Sequence, residues 1–189
     1  MNKKIITLIV LFHIFNFVIA DEIFKSENHS FSIETVVDEL EYPWSMEFTS
    51  DGKILITERP GRLRIFENGE LSAPIKGLPE IKVEGQGGLL DIALDSDFIN
   101  NKILFFSYSA GNLLGIGTEV SSAKLVNDEL NELKLLFKAL PKSRDGRHFG
   151  SRLLLTNDNS LYITLGDRGE MKRAQNINDH AGSLIRINK

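Results

Sequence analysis

A histidine in a glycine-flanked loop, His148, is the residue of this sequence best suited to proton transfer. An imidazole titrates near neutral pH, so it can accept a proton from a substrate hydroxyl. A lone histidine is also commonly a structural hydrogen-bonding residue, and His180 occupies a comparable position later in the chain. The sequence therefore makes His148 a candidate general base and leaves the structural alternative open for both histidines.

A glutamine surrounded by three glycines, Gln86 in the segment 84–89, is the second candidate. Glycines let the backbone approach a ligand closely, and the amide side chain offers both a donor and an acceptor. The segment lacks the Lys-Ser/Thr of a phosphate-binding loop, so it does not predict nucleotide binding. A flexible turn before a strand explains the same glycines equally well.

The Asp167–Arg168 pair lies directly after an apolar run. By itself it predicts an ion pair that holds a loop in place. The segment Glu58–Arg62 resembles it earlier in the chain, which favours a structural role for at least one of the two. Metal-ligand spacing, a catalytic-serine motif and a paired-carboxylate signature do not accompany these residues. The residues themselves thus assign no metal ligands.

Two short apolar runs, 153–156 and 161–165, position these candidates. Residues 157–160, with the sequence Asn-Asp-Asn-Ser, are typical of a tight hairpin turn. Antiparallel strands reverse direction, so the start of the first and the end of the second lie at one end of the hairpin. We therefore expect His148 and the pair Asp167–Arg168 to meet there.

The strand-turn-strand unit recurs along the chain. Residues 46–57 align without a gap on residues 153–164, an offset of 107, and residues 89–108 form a longer variant between them. Units of about 50 residues made of short strands indicate an all-β fold of the β-propeller type. Three units do not close a ring, so we expect blade faces that lack a neighbour.

Several local expectations follow from the same patterns. Alternation at Trp44, Met46 and Phe48 predicts a half-buried strand, and residues 31–37 are predicted to form a first strand after a polar lead-in over residues 22–32. Residues 111–117 are predicted to form an exposed loop. Little helix is expected.

The N-terminus has the pattern of a secretory signal peptide. Lys3 and Lys4 precede a mostly apolar run that ends in small residues at Ala20. An N-terminal membrane anchor is the alternative, but the run is short and holds polar residues. Cleavage predicts a mature domain from residue 21 to 189 with no stable membrane span.

Composition limits the partners of the mature chain. Without its first twenty residues the chain carries 20 basic and 26 acidic residues, which argues against a nucleic-acid surface. The chain has no cysteine, so an exported form is stabilised without disulfides.

Taken together, these motifs resemble the pyrroloquinoline-quinone-dependent soluble sugar dehydrogenases of the glucose/sorbosone dehydrogenase family, and especially their aldose sugar dehydrogenase branch. The matching segments run in order from about residue 40 to the end: Tyr42–Trp44, Thr57–Arg62, Gly85–Asp91, His148–Leu153, Gly166–Arg168, His180–Gly182 and Arg186–Asn188. The combination is specific, although each segment alone is weak.

The resemblance implies a six-bladed propeller, of which this chain is the N-terminal portion and about half the ring. It implies pyrroloquinoline quinone and Ca²⁺ as cofactors, with Gln86, His148 and Arg168 at the cofactor. It further implies that His148 takes the proton of an aldose's anomeric hydroxyl while hydride passes to the quinone. A periplasmic location and an unidentified electron acceptor belong to the same expectation.

The chain departs from the family pattern in two respects. The family continues past Lys189 into blades that, by resemblance, hold most calcium ligands and the basic residues that bind the quinone carboxylates. The residue before the base is Arg147, where the glucose-oxidising branch has an acidic residue. A non-catalytic propeller that binds a partner or carbohydrate, and a calcium-dependent lactonase, are the alternative functions.

Overall fold

The computed structural model describes residues 23–189, so the predicted signal peptide over residues 1–20 lies outside the described part. The chain divides into two units, one ending at Val36 and one running from Val37 to Lys189. The first unit contains an antiparallel hairpin of strand β1, Ile23–Lys25, and strand β2, Ser30–Ser32. The prediction of a strand over residues 31–37 after an unstructured lead-in is therefore wrong.

The second unit begins with a four-stranded antiparallel sheet, blade 1, in the order β3-β4-β5-β6. Its strands are β3 (Pro43–Phe48), β4 (Ile54–Glu58), β5 (Arg62–Glu67) and β6 (Glu70–Leu71). The predicted turn between β3 and β4 is present, with Gly52 at a φ of 89° that favours glycine.

Blade 2 is a second four-stranded sheet, in the order β7-β8-β9-β10. Its elements are β7 (Leu89–Leu94), the one-turn helix α1 (Phe98–Asn101), β8 (Ile103–Asn112), β9 (Gly115–Val126) and β10 (Glu129–Lys138). The predicted exposed loop over residues 111–117 is confirmed only at residues 112–114, the exposed tip of the β8–β9 hairpin. It is wrong for residues 115–117, which are buried in β9.

Blade 3 contains three strands in the described part, in the order β11-β12-β13. They are β11 (Gly150–Leu155), β12 (Ser160–Leu165) and β13 (Leu184–Asn188), and a 3₁₀ helix, Met171–Gln175, lies in the loop after β12. The predicted hairpin turn over residues 157–160 is confirmed, with Asn159 at a φ of 64°.

The first strand of each blade lies beside that of the next, since β7 contacts both β3 and β11. Two apolar cores fill the junctions between successive blades. Leu55 and Leu63 of blade 1 pack with Ile92 of blade 2, and Phe105 of blade 2 packs with Ile163 of blade 3. Each fully buried side chain of this size contributes about 1.5–3 kcal/mol. These stacked sheets confirm the predicted β-propeller architecture.

The strand at Trp44, Met46 and Phe48 forms as predicted, but its apolar side is the more exposed one. These three side chains are exposed, whereas Ser45 and Glu47 between them are half-buried. Alternation of apolar and polar residues shows that the two faces of a strand differ. It does not show which face is buried, because a face is shielded from solvent only where a neighbouring blade covers it.

A buried carboxylate stabilises blade 1. Glu58 accepts hydrogen bonds from Arg62 at 2.8 Å and from Arg64 at 3.4 Å. Burial raises the pKa of Glu58, but the hydrogen bonds of Arg62 and of the Glu41 N–H outweigh it and hold the pKa below its usual value. The structural role expected for the segment Glu58–Arg62 is therefore confirmed, with the ion pair joining Glu58 to Arg62.

None of the helices in residues 23–189 has the length and apolar character that crossing a membrane requires.

Candidate active site

The loops before β7 and β11 join through a side-chain hydrogen bond between the two sequence-predicted candidates. The Gln86 Oε1 atom accepts a hydrogen bond from the backbone N–H of His148 at 2.8 Å. The backbone N–H of Gln86 donates to the carbonyl oxygen of Gly146 at 2.7 Å. The structure therefore brings Gln86 and His148 together, although 62 residues separate them in sequence.

His148 has a left-handed backbone conformation, with a φ of 51°. Such a conformation is unfavourable for a residue with a side chain, so the surroundings must hold it. Gly166 packs directly against its backbone, and a Cβ atom on Gly166 would overlap the His148 carbonyl oxygen. The Gln86 hydrogen bond and this close packing fix the orientation of His148.

The imidazole of His148 is paired with a carboxylate. Its Nδ1 atom lies 2.7 Å from Oδ1 of Asp167, and half of the histidine side chain is exposed. The Asp167 carboxylate also accepts from the Gly169 N–H at 2.9 Å. Hydrogen bonds from His148 and then from Gly169 lower the pKa of Asp167. Because an ionised carboxylate only accepts, the neutral ring carries its hydrogen on Nδ1 and leaves Nε2 as a base.

Arg168 is buried beneath this loop. Its guanidinium donates to the carbonyl oxygen of Arg147 at 2.6 Å and to that of Asp145, and it lies 3.5 Å from the ring centroid of Phe149. Burial lowers the pKa of Arg168 to about 10. The expected ion pair with Asp167 is absent from the described contacts, so that interpretation is wrong.

These contacts give Arg168 the role of holding residues 145–147 in position below His148. Its Nε atom is buried without a partner in the described residues. Direct contact of Arg168 with a cofactor stays a prediction, and the described hydrogen bonds of its guanidinium all go to backbone carbonyls.

Arg147, the residue before the candidate base, is bound within its own loop. Its guanidinium forms a bidentate pair with the Asp145 carboxylate, donating from Nε to Oδ1 at 3.0 Å and from Nη2 to Oδ2 at 2.9 Å. The hydrogen bonds of Arg147 lower the pKa of Asp145, so both groups are charged at neutral pH. The charge of Arg147 is therefore neutralised by Asp145 within the loop itself, without a ligand.

The glycines of the Gln86 loop provide close packing with neighbouring loops. A Cβ on Gly85 would overlap the carbonyl oxygen of Gly146, and one on Gly88 would overlap that of Arg59. The Arg59 guanidinium in turn donates to the Gly85 carbonyl oxygen. Residues 85–86 form a turn before β7, as the alternative interpretation of these glycines expected, and these contacts hold the turn between blade 1 and the His148 loop.

His180 is held quite differently. Its Nδ1 atom accepts a hydrogen bond from the Leu140 N–H at 3.0 Å, and its own N–H donates to the Leu140 carbonyl oxygen at 3.0 Å. Its ring packs on Phe137, with centroids 5.3 Å apart. A nitrogen that accepts from a backbone amide carries no hydrogen, so the neutral ring has its hydrogen on Nε2. His180 therefore has the structural role that the sequence left open.

A cleft of about 440 Å³ lies beside the site. It is lined by Glu84, by Arg144 and by residues around the β8–β9 hairpin tip, while His148 is outside its lining. Within residues 23–189 no group of three or more His, Cys, Asp or Glu side chains is placed to hold a metal ion.

The functional contact that sequence reasoning missed is the pairing of Asp167 with His148. The hairpin argument did place both residues at one end of the same pair of strands. Sequence adjacency favoured Arg168 as the partner of Asp167, but Arg168 has a φ of 58° and its side chain leaves in another direction.

The protein is therefore of the β-propeller class, and its blade loops bring together a His-Asp pair and a glutamine. The family model of glucose/sorbosone dehydrogenases matches residues 40–189. The chain belongs to that family.

Individual relatives agree with this assignment. Aldose sugar dehydrogenase YliI of Escherichia coli is 36% identical over 161 residues, which are 82% of this chain and 43% of the relative. Quinoprotein glucose dehydrogenase B of Acinetobacter calcoaceticus is 28% identical, over 79% of this chain and 34% of the relative. The crystal structure of the soluble aldose sugar dehydrogenase of Escherichia coli in its apo form is similar with a TM-score of 0.78 and 36% identity, over 82% of this chain and 46% of that chain. The chain spans less than half the length of these relatives.

Proposed function

We propose that this chain contributes the proton-accepting part of a quinone-dependent site that oxidises aldose sugars at the anomeric carbon. The observation that carries the proposal is the 2.7 Å contact between His148 and Asp167, which leaves Nε2 of a half-exposed imidazole as a base. The family and its sugar dehydrogenase members support the substrate class.

In the proposed reaction, Nε2 of His148 takes the proton of the anomeric hydroxyl. The C1–H bond breaks with its electron pair, and a C=O bond forms, so the aldose becomes a lactone. Asp167 stabilises the imidazolium that forms and keeps the ring oriented. Gln86 holds the backbone of His148, so the base stays in one position relative to the substrate.

Pyrroloquinoline quinone, when bound, supplies the acceptor for the hydride. The donor set of this chain fits one edge of such a group. The amide NH₂ of Gln86, which makes no hydrogen bond in residues 23–189, would donate to it, and Nε2 of His148 would face the substrate beside it.

Calcium is not assigned to residues of this chain, since the described part offers no group of metal ligands. It stays a prediction from the family resemblance, as does the periplasmic location. No step of the proposed mechanism depends on the metal ion.

The proposal is tested by adding pyrroloquinoline quinone and calcium to the protein and measuring sugar-dependent dye reduction. Quinone binding is followed separately through the fluorescence of Trp44, the only tryptophan of the sequence. We expect His148→Gln to retain quinone binding and to lose turnover, while His180→Gln, the matched control, keeps it. Quinone binding without turnover of any aldose by the unmodified protein would contradict the proposed reaction.

A further inference from the structure

The hairpin of β8 and β9 is longer than the corresponding hairpins of the other blades. Its strands have ten and twelve residues, whereas β4, β5 and β12 have five or six. Leu89, the first residue of β7, pairs with Tyr108, so the remaining residues of β8 continue past β7 on the side of the Gln86 loop. Residues 109–118, the hairpin extension, therefore reach about 13 Å beyond the start of β7.

The Gln86 loop is bound to the first strand of the extension on both sides of the glutamine. The carbonyl oxygen of Ser109 accepts from the Lys82 N–H at 2.9 Å, and its N–H donates to the Gly88 carbonyl oxygen at 2.9 Å. The Ser109 hydroxyl donates to the Lys82 carbonyl oxygen as well, and Ser109 is fully buried. One residue of β8 thus holds the chain before and after Gln86.

The His148 loop is bound to the second strand of the extension, again on both sides of the candidate residue. Before His148, Ser143 exchanges two backbone hydrogen bonds with Ile116, at 2.8 and 3.1 Å. After His148, the Phe149 carbonyl oxygen accepts from the Thr118 hydroxyl at 2.9 Å, and Thr118 is 1% exposed. Phe149 follows His148 directly, so Thr118 fixes the backbone that carries the imidazole.

Ser109 and Thr118 are direct partners in the β8–β9 ladder. Residues opposite each other on antiparallel strands have Cβ atoms about 5 Å apart. The loop of Gln86 and the loop of His148 are therefore attached to one pair of residues. This shared attachment keeps two loops of different blades close enough for the Gln86 side chain to bind the His148 backbone at 2.8 Å.

Other buried hydroxyls at the blade junctions bind strands rather than loops. Thr57 donates to the Leu90 carbonyl oxygen within β7 at 2.6 Å, and Ser107 donates to the Ser151 carbonyl oxygen within β11 at 2.9 Å. Those hydrogen bonds join one sheet to the next. The two hydroxyls of the hairpin extension instead bind loop residues that flank the candidate base and its glutamine, so their effect falls on the site.

We propose that Ser109 and Thr118 are positioning residues that together set the separation of Gln86 and His148. Neither residue needs to contact the sugar or the quinone, because each acts through the backbone of the loop that it holds. The catalytic meaning of this inference rests on the proposed function, in which His148 is the base. The positional meaning does not, since it concerns two loops of the protein alone.

Thr118→Val keeps the shape of the side chain and removes the hydroxyl. The Phe149 carbonyl then loses its donor, and the backbone that carries His148 is free to shift. Because a displaced base slows the reaction step more than it weakens binding, kcat should fall about 10-fold while the sugar KM and quinone binding stay unchanged. Thr118→Ser retains the hydroxyl and should keep kcat within about two-fold of the unmodified protein.

Thr49→Val is the matched control. Thr49 is buried, and its hydroxyl donates to the Lys53 carbonyl oxygen at 3.1 Å in the turn after β3, at the opposite end of the blades from the site. This variant should lose stability in denaturant unfolding, as Thr118→Val does, because each removes a buried hydrogen bond. Its kcat should equal that of the unmodified protein.

Ser109→Ala removes the other hydroxyl of the pair and should lower kcat from the side of Gln86. Because both hydroxyls set one distance, the loss of kcat in the double variant should be smaller than the product of the two single losses. Circular dichroism shows whether each variant keeps its strands. Ser109→Ala carries the test if Thr118→Val does not fold.

The ring ¹⁵N resonances of His148, measured without any cofactor, report its position independently of turnover. We expect Thr118→Val to shift them, and Thr118→Ser and Thr49→Val to leave them in place. Shifted resonances in a protein that oxidises no aldose would support the positioning role and overturn only the proposed reaction. Unshifted resonances in both Thr118→Val and Ser109→Ala, or equal effects of Thr118→Val and Thr49→Val on kcat, would overturn the inference.

Discussion

The two histidine loops of blade 3 differ in which ring nitrogen the protein occupies. In the first loop a carboxylate, Asp167, binds Nδ1 of His148 and leaves Nε2 as the basic nitrogen. In the second loop the Leu140 N–H donates to Nδ1 of His180, so the basic nitrogen of that ring already accepts a hydrogen bond from the protein. The same residue type is a candidate base in one loop and a packing residue in the other, because the neighbour of Nδ1 sets the tautomer.

Substituting each histidine in turn with glutamine should give the largest difference in turnover between two variants. His148→Gln removes the base, and turnover in the dye-reduction assay should fall by about 10²- to 10⁴-fold. His180→Gln should leave turnover within about two-fold and lower stability by about 1 kcal/mol through a weakened hydrogen bond. Equal losses of turnover in the two variants would remove the distinction between the loops.

The Asp167→Asn variant tests the cause of the difference. An amide can donate to Nδ1, which moves the ring hydrogen to Nε2 and gives His148 the tautomer of His180. Turnover should fall by about 10²-fold or more while quinone binding persists. Turnover similar to that of the unmodified protein would show that the carboxylate does not set the tautomer.

The pH dependence of stability gives a second measure of the same contact. The pKa of Asp167 is lower in the folded protein than the ordinary carboxyl value of about 3.9. The stability that Asp167 contributes is therefore complete above the ordinary value and is lost as pH falls through the lowered one. Denaturant unfolding between neutral and acidic pH should show a smaller acid-side loss for Asp167→Asn than for the unmodified protein. An identical acid-side loss would contradict this assignment.

The sequence predicts features formed by residues that are close together in the chain better than contacts between residues that are far apart in it. The turn at residues 157–160 and the 107-residue repeat predicted the hairpin and the propeller, because both are local patterns. The contact of Gln86 with His148 joins two blades, and only the family resemblance indicated it. The exposed side of β3 was assigned wrongly, since alternation cannot tell which face a neighbouring blade covers.

Gln86→Leu should have a smaller effect than loss of either member of the His148–Asp167 pair. The variant leaves the N–H of His148 without its acceptor and loosens the left-handed backbone, but it keeps the base and its partner. We expect turnover to fall about 10-fold, with the rate constant affected more than the sugar Michaelis constant, as positioning requires. A loss confined to quinone affinity would instead indicate that Gln86 acts only as a ligand.

The smallest effect on turnover is expected for the arginines that hold the two loops. Arg168→Lys removes the fork that binds two carbonyls below His148, and should lower stability by about 2 kcal/mol and the melting temperature by about 5 °C. Arg173 holds the His180 loop by donating to the Asp179 carboxylate at 2.8 Å and to the Pro141 carbonyl oxygen at 2.7 Å. Arg173→Lys should lower stability similarly without changing turnover. Unchanged stability of Arg168→Lys with weaker quinone binding would support direct cofactor contact instead.

The tautomers themselves are measured by long-range ¹⁵N–¹H correlation spectra of the imidazole rings at a pH where both are neutral. This measurement uses the protein without any cofactor. We expect His148 to carry its hydrogen on Nδ1 and His180 to carry its hydrogen on Nε2. A His148 ring with its hydrogen on Nε2 would contradict the assignment of Nε2 as the base.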